Sequence, residues 1–488
     1  MRTSRIVALV AGSMAVLLML VSRQSLWVDE AISVAIARMP WQEMWTYIFA
    51  REGAMGFFYG LLHLWGRLGD SDLWFRSLPL IFGVGAIPLT YLVGRRLVGA
   101  RAAALSSALL ASHSLFVAEV TEIRSYSLAV FLAVGSTLCF LRAIEANSRM
   151  MWTAYAVLGA LAVYAHLFNG FILIAHILSL MLPSSRRPVN WSALSASLGA
   201  IALLIAPLCL YVVSHGGSQI SWIPRPDIPR LAYTIAILSG GLEAGLSQTG
   251  LYVVLGAGLV TLYVIAIIVA VARVRGAQPK CELPNRWNLH FLLLTGLLPL
   301  IGASAFSFFV QPVLHARYLV VLVPALVLLV AKGIDELSGK SRIAVLVLAI
   351  CLSTIPGGGC YGGCEKENWK DAISYLASSA HSADGLLIYE PFTGIAYDHY
   401  ARLQSSMPRL IFPEGDDPLT RTVIARPNPS SVLESVLEAT SNYERIWLIL
   451  SHANTRESYG RDLFMGLVKL RGTPATKVFT GIRILTFD

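Results

Sequence analysis

The sequence predicts a polytopic α-helical membrane protein with about eleven transmembrane helices, followed by a soluble C-terminal α/β domain. Three observations carry that expectation. Of 488 residues, 56% are apolar and only 14% charged, where soluble domains average about a quarter charged. The apolar residues gather into eleven runs bounded by charge. Past the glycine-rich stretch Gly357 to Gly363, short helical and strand-like segments alternate instead.

The runs are Ile6 to Val21, Ser77 to Val93, Ala102 to Ala118, Ser125 to Leu141, Trp152 to Ala165, Leu167 to Leu182, Trp191 to Val213, Leu251 to Ala272, Leu289 to Val310, Tyr318 to Ala331 and Ile343 to Ile355. Several are shorter than the ~20 residues of a perpendicular span. All should be helical, because a helix satisfies its own backbone in lipid. Trp152 to Leu182 reads either as one long helix or as two short ones. Asn169-Gly170 is a turn signal, and two helices keep the basic loops on one side. Arg2 and Arg5 before the first run suggest a signal peptide, but Ser22 to Leu26 offers no small-x-small cleavage site, which favours an uncleaved anchor.

Basic residues set the orientation. With the amino terminus inside, sixteen Lys/Arg face four acidic residues on the cytoplasmic side, while the outer loops before the last span hold nine basic and ten acidic residues. The net charge of +9 is therefore a membrane signal, suited to anionic inner-leaflet lipids, and no nucleic-acid partner is expected. The expected location is the inner (cytoplasmic) membrane, with the carboxyl terminus outside.

The predicted organisation is a membrane domain over 1–356, including a first outer loop over 22–76, and an extracytoplasmic α/β domain over 357–488. In that loop Trp27, Trp41, Trp45 and Trp65 alternate with charge, as helices lying in the bilayer interface require. A proline-bearing outer loop runs from His215 to Gly250. In the tail, Asn368 to Ser379, Pro429 to Thr440 and Arg461 to Leu470 read as helices, and Gly385 to Glu390 and Glu444 to Ser451 as strands. Of six cysteines, only Cys360 and Cys364 fall outside the membrane on the exterior side. Their glycine neighbours permit a small closed loop, so a disulfide is expected there, with a pair of inert thiols as the plainer reading and a metal site disfavoured by the lack of nearby histidine or further cysteine.

Ionisable residues near span ends collect on the outer side: Asp29 and Glu30 after the first span, Glu119, Glu122 and Arg124 between the third and fourth, His166 after the fifth, and His315 and Arg317 before the tenth. Acids and bases held together at a membrane surface suggest a site. A transferase working there lacks nucleotide sugars and must draw its donor from lipid, whose headgroup is a phosphate. Arg124 and Arg317 suit that phosphate through the guanidinium fork, and a carboxylate can take the proton of an attacking hydroxyl. The plainer readings stand beside these: Asp29 and Glu30 as a solvated helix start, the arginines as snorkelling cations, Glu119 and Glu122 as partners of Arg124, and His63 and His176 as packing residues. A transporter or lipid flippase is the competing function, but it predicts symmetric repeats and midplane polar residues, and neither is apparent.

The stretches LWVDEAIS, GAMGFFYGLLHLWGRLGDSDLWFRSLPLIFGV, TYLVGRRLVGARAAALSSALLASH, VTEIRSYSLAV, VYAHLFNGFILIAH, HARYLVVLVPAL and NWKDAISYL, in that order, resemble the dolichyl-phosphate-mannose protein mannosyltransferase type of membrane glycosyltransferase, whose bacterial members include lipid A aminoarabinose transferases. The resemblance implies a GT-C fold and a polyprenyl-phosphate sugar donor, with a lipid, glycan or protein as acceptor. It places Asp29 on the catalytic aspartate and Glu30 on its acidic neighbour. It places Arg124 and Tyr126 on an arginine-x-tyrosine pair, and Arg317 and Tyr318 on the pair before a late span. Tyr59, Glu119, His166 and His315 are further candidates for substrate contact. Gly53 to Phe58 departs from the family, lacking its histidine-proline-proline. Sugar and acceptor stay open, and so does a divalent metal, because arginine alone can neutralise the phosphate.

Overall fold

A computed structural model of the chain describes residues 14, 25–182, 189–215, 223–241, 250–276, 283–354, 366–412, 429–451 and 458–488. The chain divides into two compact units, one formed by Met1–Ser22 with Trp41–Cys364 and the other by Arg23–Pro40 with Glu365–Asp488. The first outer loop is thus split after Pro40, and its start is grouped with the C-terminal segment.

The first unit is helical: α2 (Trp41–Tyr47), α3 (Gly56–Gly66), α4 (Asp72–Leu97), α5 (Ala100–Ser112), α6 (Ser114–Val120), α7 (Tyr126–Ala146), α8 (Arg149–Ala165), α9 (Asn169–Met181), α10 (Trp191–His215), α11 (Ile228–Leu238), α12 (Gly250–Gly276), α13 (Leu283–Phe309), a 3₁₀ turn over Ala316–Leu322 leading into α14 (Val323–Asp335), and α15 (Gly339–Thr354). Among the described residues six helices are long and apolar enough to cross a membrane, and α5 with α6, bent by 62°, forms either a seventh, broken span or a re-entrant loop. The protein is a multi-pass membrane protein. The expected runs after the first are all helical, but α8, α9 and α15 have only 17, 13 and 16 residues. The first run, Ile6 to Val21, lies outside the described residues apart from Met14.

Local chemistry explains the breaks. Ser71 caps α4 by accepting from the Trp74 N–H at 3.1 Å; Arg95 and Arg96 sit in its last turn, and Gly99 at φ +91° ends it. Trp65 and Trp74 stack at 4.9 Å, each donating its indole N–H to the other's carbonyl. The chain turns between α8 and α9 over His166–Phe168, because Asn169 donates to the Ala162 carbonyl at 2.8 Å and to that of Ala129 at 3.3 Å. Carbonyls orphaned at a helix end need such donors. His176 is fully buried, stacked on Phe140 at 4.6 Å and hydrogen-bonded to Thr137 at 3.1 Å, which is a packing role.

Helix α7 is the central span, whereas α10 exposes Leu203, Leu210 and Val213, as a lipid-facing helix does. Helices α12 and α14 approach so closely that a Cβ at Gly333 would fall on the Ala266 carbonyl. Small residues permit such contact inside a bilayer.

The second unit contains α1 (Val28–Arg38), α16 (Trp369–Ser379), α17 (Gly394–Ala401), α18 (Pro429–Thr440), α19 (Ser458–Arg471) and five strands: β1 (Gly385–Tyr389), β2 (Arg409–Phe412), β3 (Ile446–Ser451), β4 (Ala475–Phe479) and β5 (Ile482–Phe487). The sheet order is β2-β1-β3-β5-β4; β1 is parallel to β2 and β3, and β5 is antiparallel to β3 and β4. Strands β1 and β3 are buried throughout, matching their unbroken apolar sequence. Leu387, Ile446, Leu448, Leu463, Leu467 and Phe487 form the core on one face. The sheet has three strands the sequence did not announce, β2, β4 and β5. Helix α1 is tied into this unit: the Leu26 N–H donates to the Tyr400 hydroxyl at 2.7 Å, the Lys370 N–H to Ser25 Oγ at 3.0 Å, and an Arg38 N–H to His399 Nδ1 at 3.0 Å.

Candidate functional site

One end of the helical unit gathers most of the predicted residues. Arg124 lies in the short link between α6 and α7, with Tyr126 as the first residue of α7. The Arg124 guanidinium reaches back to α3, donating from Nη1 to the Tyr59 hydroxyl at 3.3 Å and lying 3.4 Å from the Met55 sulfur. Tyr59 itself is fully buried. Both contacts are made by Nη1, so the half-buried arginine is held through one arm of its fork, where an anion would meet a fixed geometry.

The 3₁₀ turn before α14 presents Arg317 and Tyr318, with His315 just ahead of it. Tyr318 is the hub of an aromatic wall. Its ring centroid is 6.3 Å from Tyr126, 5.4 Å from His166, 6.1 Å from Phe168 and 5.6 Å from His315. Arg317, Arg124 and Glu119 all lie within electrostatic reach of the Tyr126 phenol. Two half-buried guanidinium groups, a buried carboxylate at Glu119 and a wall of rings thus meet where the 3₁₀ turn, the α8–α9 break and the start of α7 converge.

His166 is neutral here. Desolvation by burial pushes it down to about 4, and its Nδ1 accepts the Phe168 N–H at 3.3 Å, so the proton sits on Nε2. Among the described residues no three His, Cys, Asp or Glu side chains are placed to hold a metal ion.

Asp29 and Glu30 belong to the second unit. Both lie in the first turn of α1, where the positive end of the helix dipole favours carboxylates. Asp29 is half-buried and Glu30 fully buried, and the Ser33 hydroxyl donates to the Asp29 carbonyl at 3.0 Å. His63 is buried against Trp41, with ring centroids 5.3 Å apart. Cys360 and Cys364, the expected disulfide, lie outside the described residues. Met55 and Phe168 join the site without having been predicted. Phe168 follows His166 by two positions and was legible as part of an aromatic span end, but nothing in GAMGF marks Met55 as a neighbour of Arg124.

A family model described as dolichyl-phosphate-mannose-protein mannosyltransferase matches residues 57–212. The structure is similar to ArnT from Cupriavidus metallidurans in the apo state, at 12% identity and a TM-score of 0.57 over 98% of this chain and 97% of that one. It is similar to the same protein bound to undecaprenyl phosphate at 14% identity and a TM-score of 0.56, with the same coverage of 98% and 97%. An oligosaccharyltransferase from Archaeoglobus fulgidus matches at 12% identity and a TM-score of 0.53, over 92% of this chain and 69% of that one. The arabinofuranosyltransferase AftD from Mycobacteria matches at 14% identity and a TM-score of 0.53, over 99% of this chain and 41% of that one. No curated protein matches the chain. The fold is that of the GT-C membrane glycosyltransferases.

Proposed function

We propose that this chain, with its GT-C fold, is a glycosyltransferase moving a sugar from a polyprenyl-phosphate donor to a hydroxyl or phosphate on a lipid, glycan or protein, at the outer face of the cytoplasmic membrane. The observation that carries the reading is the pair Arg124 and Arg317 beside the Tyr126–Tyr318–His166 wall, a grip for a phosphate next to surfaces suited to a sugar ring or prenyl chain. In the reaction, an acceptor oxygen attacks the anomeric carbon, the bond from that carbon to the phosphate oxygen breaks, and the polyprenyl phosphate departs. The two arginines stabilise the charge that develops on it. Asp29 takes the proton of an acceptor hydroxyl, and Glu30 orients it.

Purified full-length chain in vesicles with a radiolabelled polyprenyl-phosphate sugar and an envelope lipid extract tests this. Label should pass to a new acceptor, with free polyprenyl phosphate released in equal amount. Movement of intact donor across the bilayer with no release of polyprenyl phosphate would establish the flippase reading instead.

The orientation rests on the basic loops. A single cysteine placed after Asp488 should react with a membrane-impermeant thiol reagent in spheroplasts, and one placed between Arg275 and Arg286 should not. The opposite pattern would turn the chain over in the membrane.

A further inference from the structure

The other end of the helical unit holds a cavity of about 1100 Å³, walled by the C-terminal ends of α4, α12 and α14 and the N-terminal part of α13. The salt bridge from Arg96 to Glu145, 3.2 Å, brings the C-terminal ends of α4 and α7 together. The cavity therefore lies at the opposite end of the bundle from Tyr126, which begins α7. Four cations line it, Arg95, Arg96, Arg273 and Lys332, against the single carboxylate of Glu336. That carboxylate is shared, since Lys332 pairs with it and Arg273 approaches it at 4.0 Å. The lining keeps a positive surplus contributed by three separate helices.

Three helix C-termini meeting at one cavity would ordinarily repel an anion through their exposed carbonyls. Side-chain donors blunt that repulsion at two of them. Asn288 donates to the carbonyls of Leu97 at 3.0 Å and Arg96 at 3.4 Å, and Arg342 donates to those of Asp335 at 3.0 Å and Leu337 at 2.8 Å. Behind the cations the wall turns apolar along Val269, Leu292 and Leu329. A free inorganic anion has no use for such a wall, and an acyl chain does.

We infer that this cavity binds an anionic membrane phospholipid, its phosphate among Arg95, Arg96, Arg273 and Lys332 and its first methylenes against the apolar wall. The site is separate from the Arg124–Arg317 cluster and independent of the proposed reaction. It is built from the residues that the charge pattern assigns to the cytoplasmic side, where anionic headgroups attract basic side chains.

Native mass spectrometry of the full-length chain, after exchange into mixed micelles containing phosphatidylglycerol and phosphatidylcholine in equal amounts, tests the assignment. Phosphatidylglycerol should stay bound preferentially, and Arg95→Gln or Arg273→Gln should each weaken its retention about five-fold. Arg273 has a side chain 68% exposed, so its replacement leaves the packing intact and carries the test should the Arg95 variant fail to fold. Arg101→Gln, removing a cation bridged to Asp335 at 3.6 Å but outside the lining, should change nothing. Equal retention of the two lipids, or equal loss in the Arg101 variant, would overturn the site. Displacement of phosphatidylglycerol by inorganic phosphate at matched concentration would overturn the lipid in favour of a free anion.

Discussion

The two ends of the helical unit are both rich in arginine and differ in what surrounds it. At one end Arg124 is held by the Tyr59 hydroxyl and the Met55 sulfur, and Arg317 stands beside a wall of rings. At the other, Arg96, Arg273 and Lys332 are matched with two carboxylates, Glu145 and Glu336, and Arg95 lies over the Tyr91 ring, around a broad cavity. A guanidinium fixed by neighbours recognises the shape of its ligand, whereas a loose group of cations recognises only charge. On the two proposed readings, the same residue type serves chemistry at one end and attraction at the other.

The sharpest way to break that contrast is to remove the chemistry. Asp29→Asn should fold and insert but lose ~10²–10⁴-fold in transfer, the usual contribution of a general base. Wild-type turnover by the amide at saturating donor and acceptor would remove Asp29 from the reaction. Next in size is Arg317→Ala, expected to cost about 10²–10³-fold in kcat through loss of the phosphate's counter-charge. Arg317→Lys should stay impaired because it keeps charge but not the fork; a fully active lysine variant would make this end resemble the cationic one.

A smaller effect separates site from scaffold. Asn169→Ala removes two buried hydrogen bonds at the α8–α9 turn and should destabilise the chain by roughly 1–3 kcal/mol. It should also displace His166, so reduced transfer should accompany a lower thermal midpoint. The smallest concerns His166 itself. With its proton affinity pushed down from 6.5 to about 4, the unfolded chain binds a proton there that the folded chain refuses, so stability should fall as pH drops through that window and be unaffected above it. In His166→Gln that part of the acid sensitivity should vanish, while the pH profile of transfer near neutrality should not move. A profile that did move would show His166 titrating in the working enzyme.

Much of this was legible in the sequence, and the reasons are physical. Apolar runs report helices because lipid permits little else, and the break at His166 to Gly170 was marked by Asn169. Arg124, His166 and Arg317 were found because they flank span ends on one side, whereas Tyr126 and Tyr318 came only from the resemblance to the mannosyltransferase-type enzymes. The C-terminal strands β1 and β3 showed through their continuous apolar sequence. Strand β4 did not, since ATKVF is exposed along most of its length and carries no apolar face. The grouping of Arg23–Pro40 with the C-terminal segment was illegible for another reason. It rests on Tyr400, His399 and Lys370, more than 340 positions away in sequence, and no local pattern encodes a partner at that range.

Helix α9 has only 13 residues, which at 1.5 Å each reach about 20 Å, against a hydrocarbon layer of ~30 Å. Its outer flank still presents Ile174, Leu178 and Met181. Thinning of the adjacent lipid is one way a bilayer accommodates so short a helix. On the proposed function, the bilayer would be thinnest at the α8–α9 corner, where His166 and Phe168 stand against Tyr318, so that a lipid-borne phosphate would reach the arginines there from a shallower layer than along the longer spans.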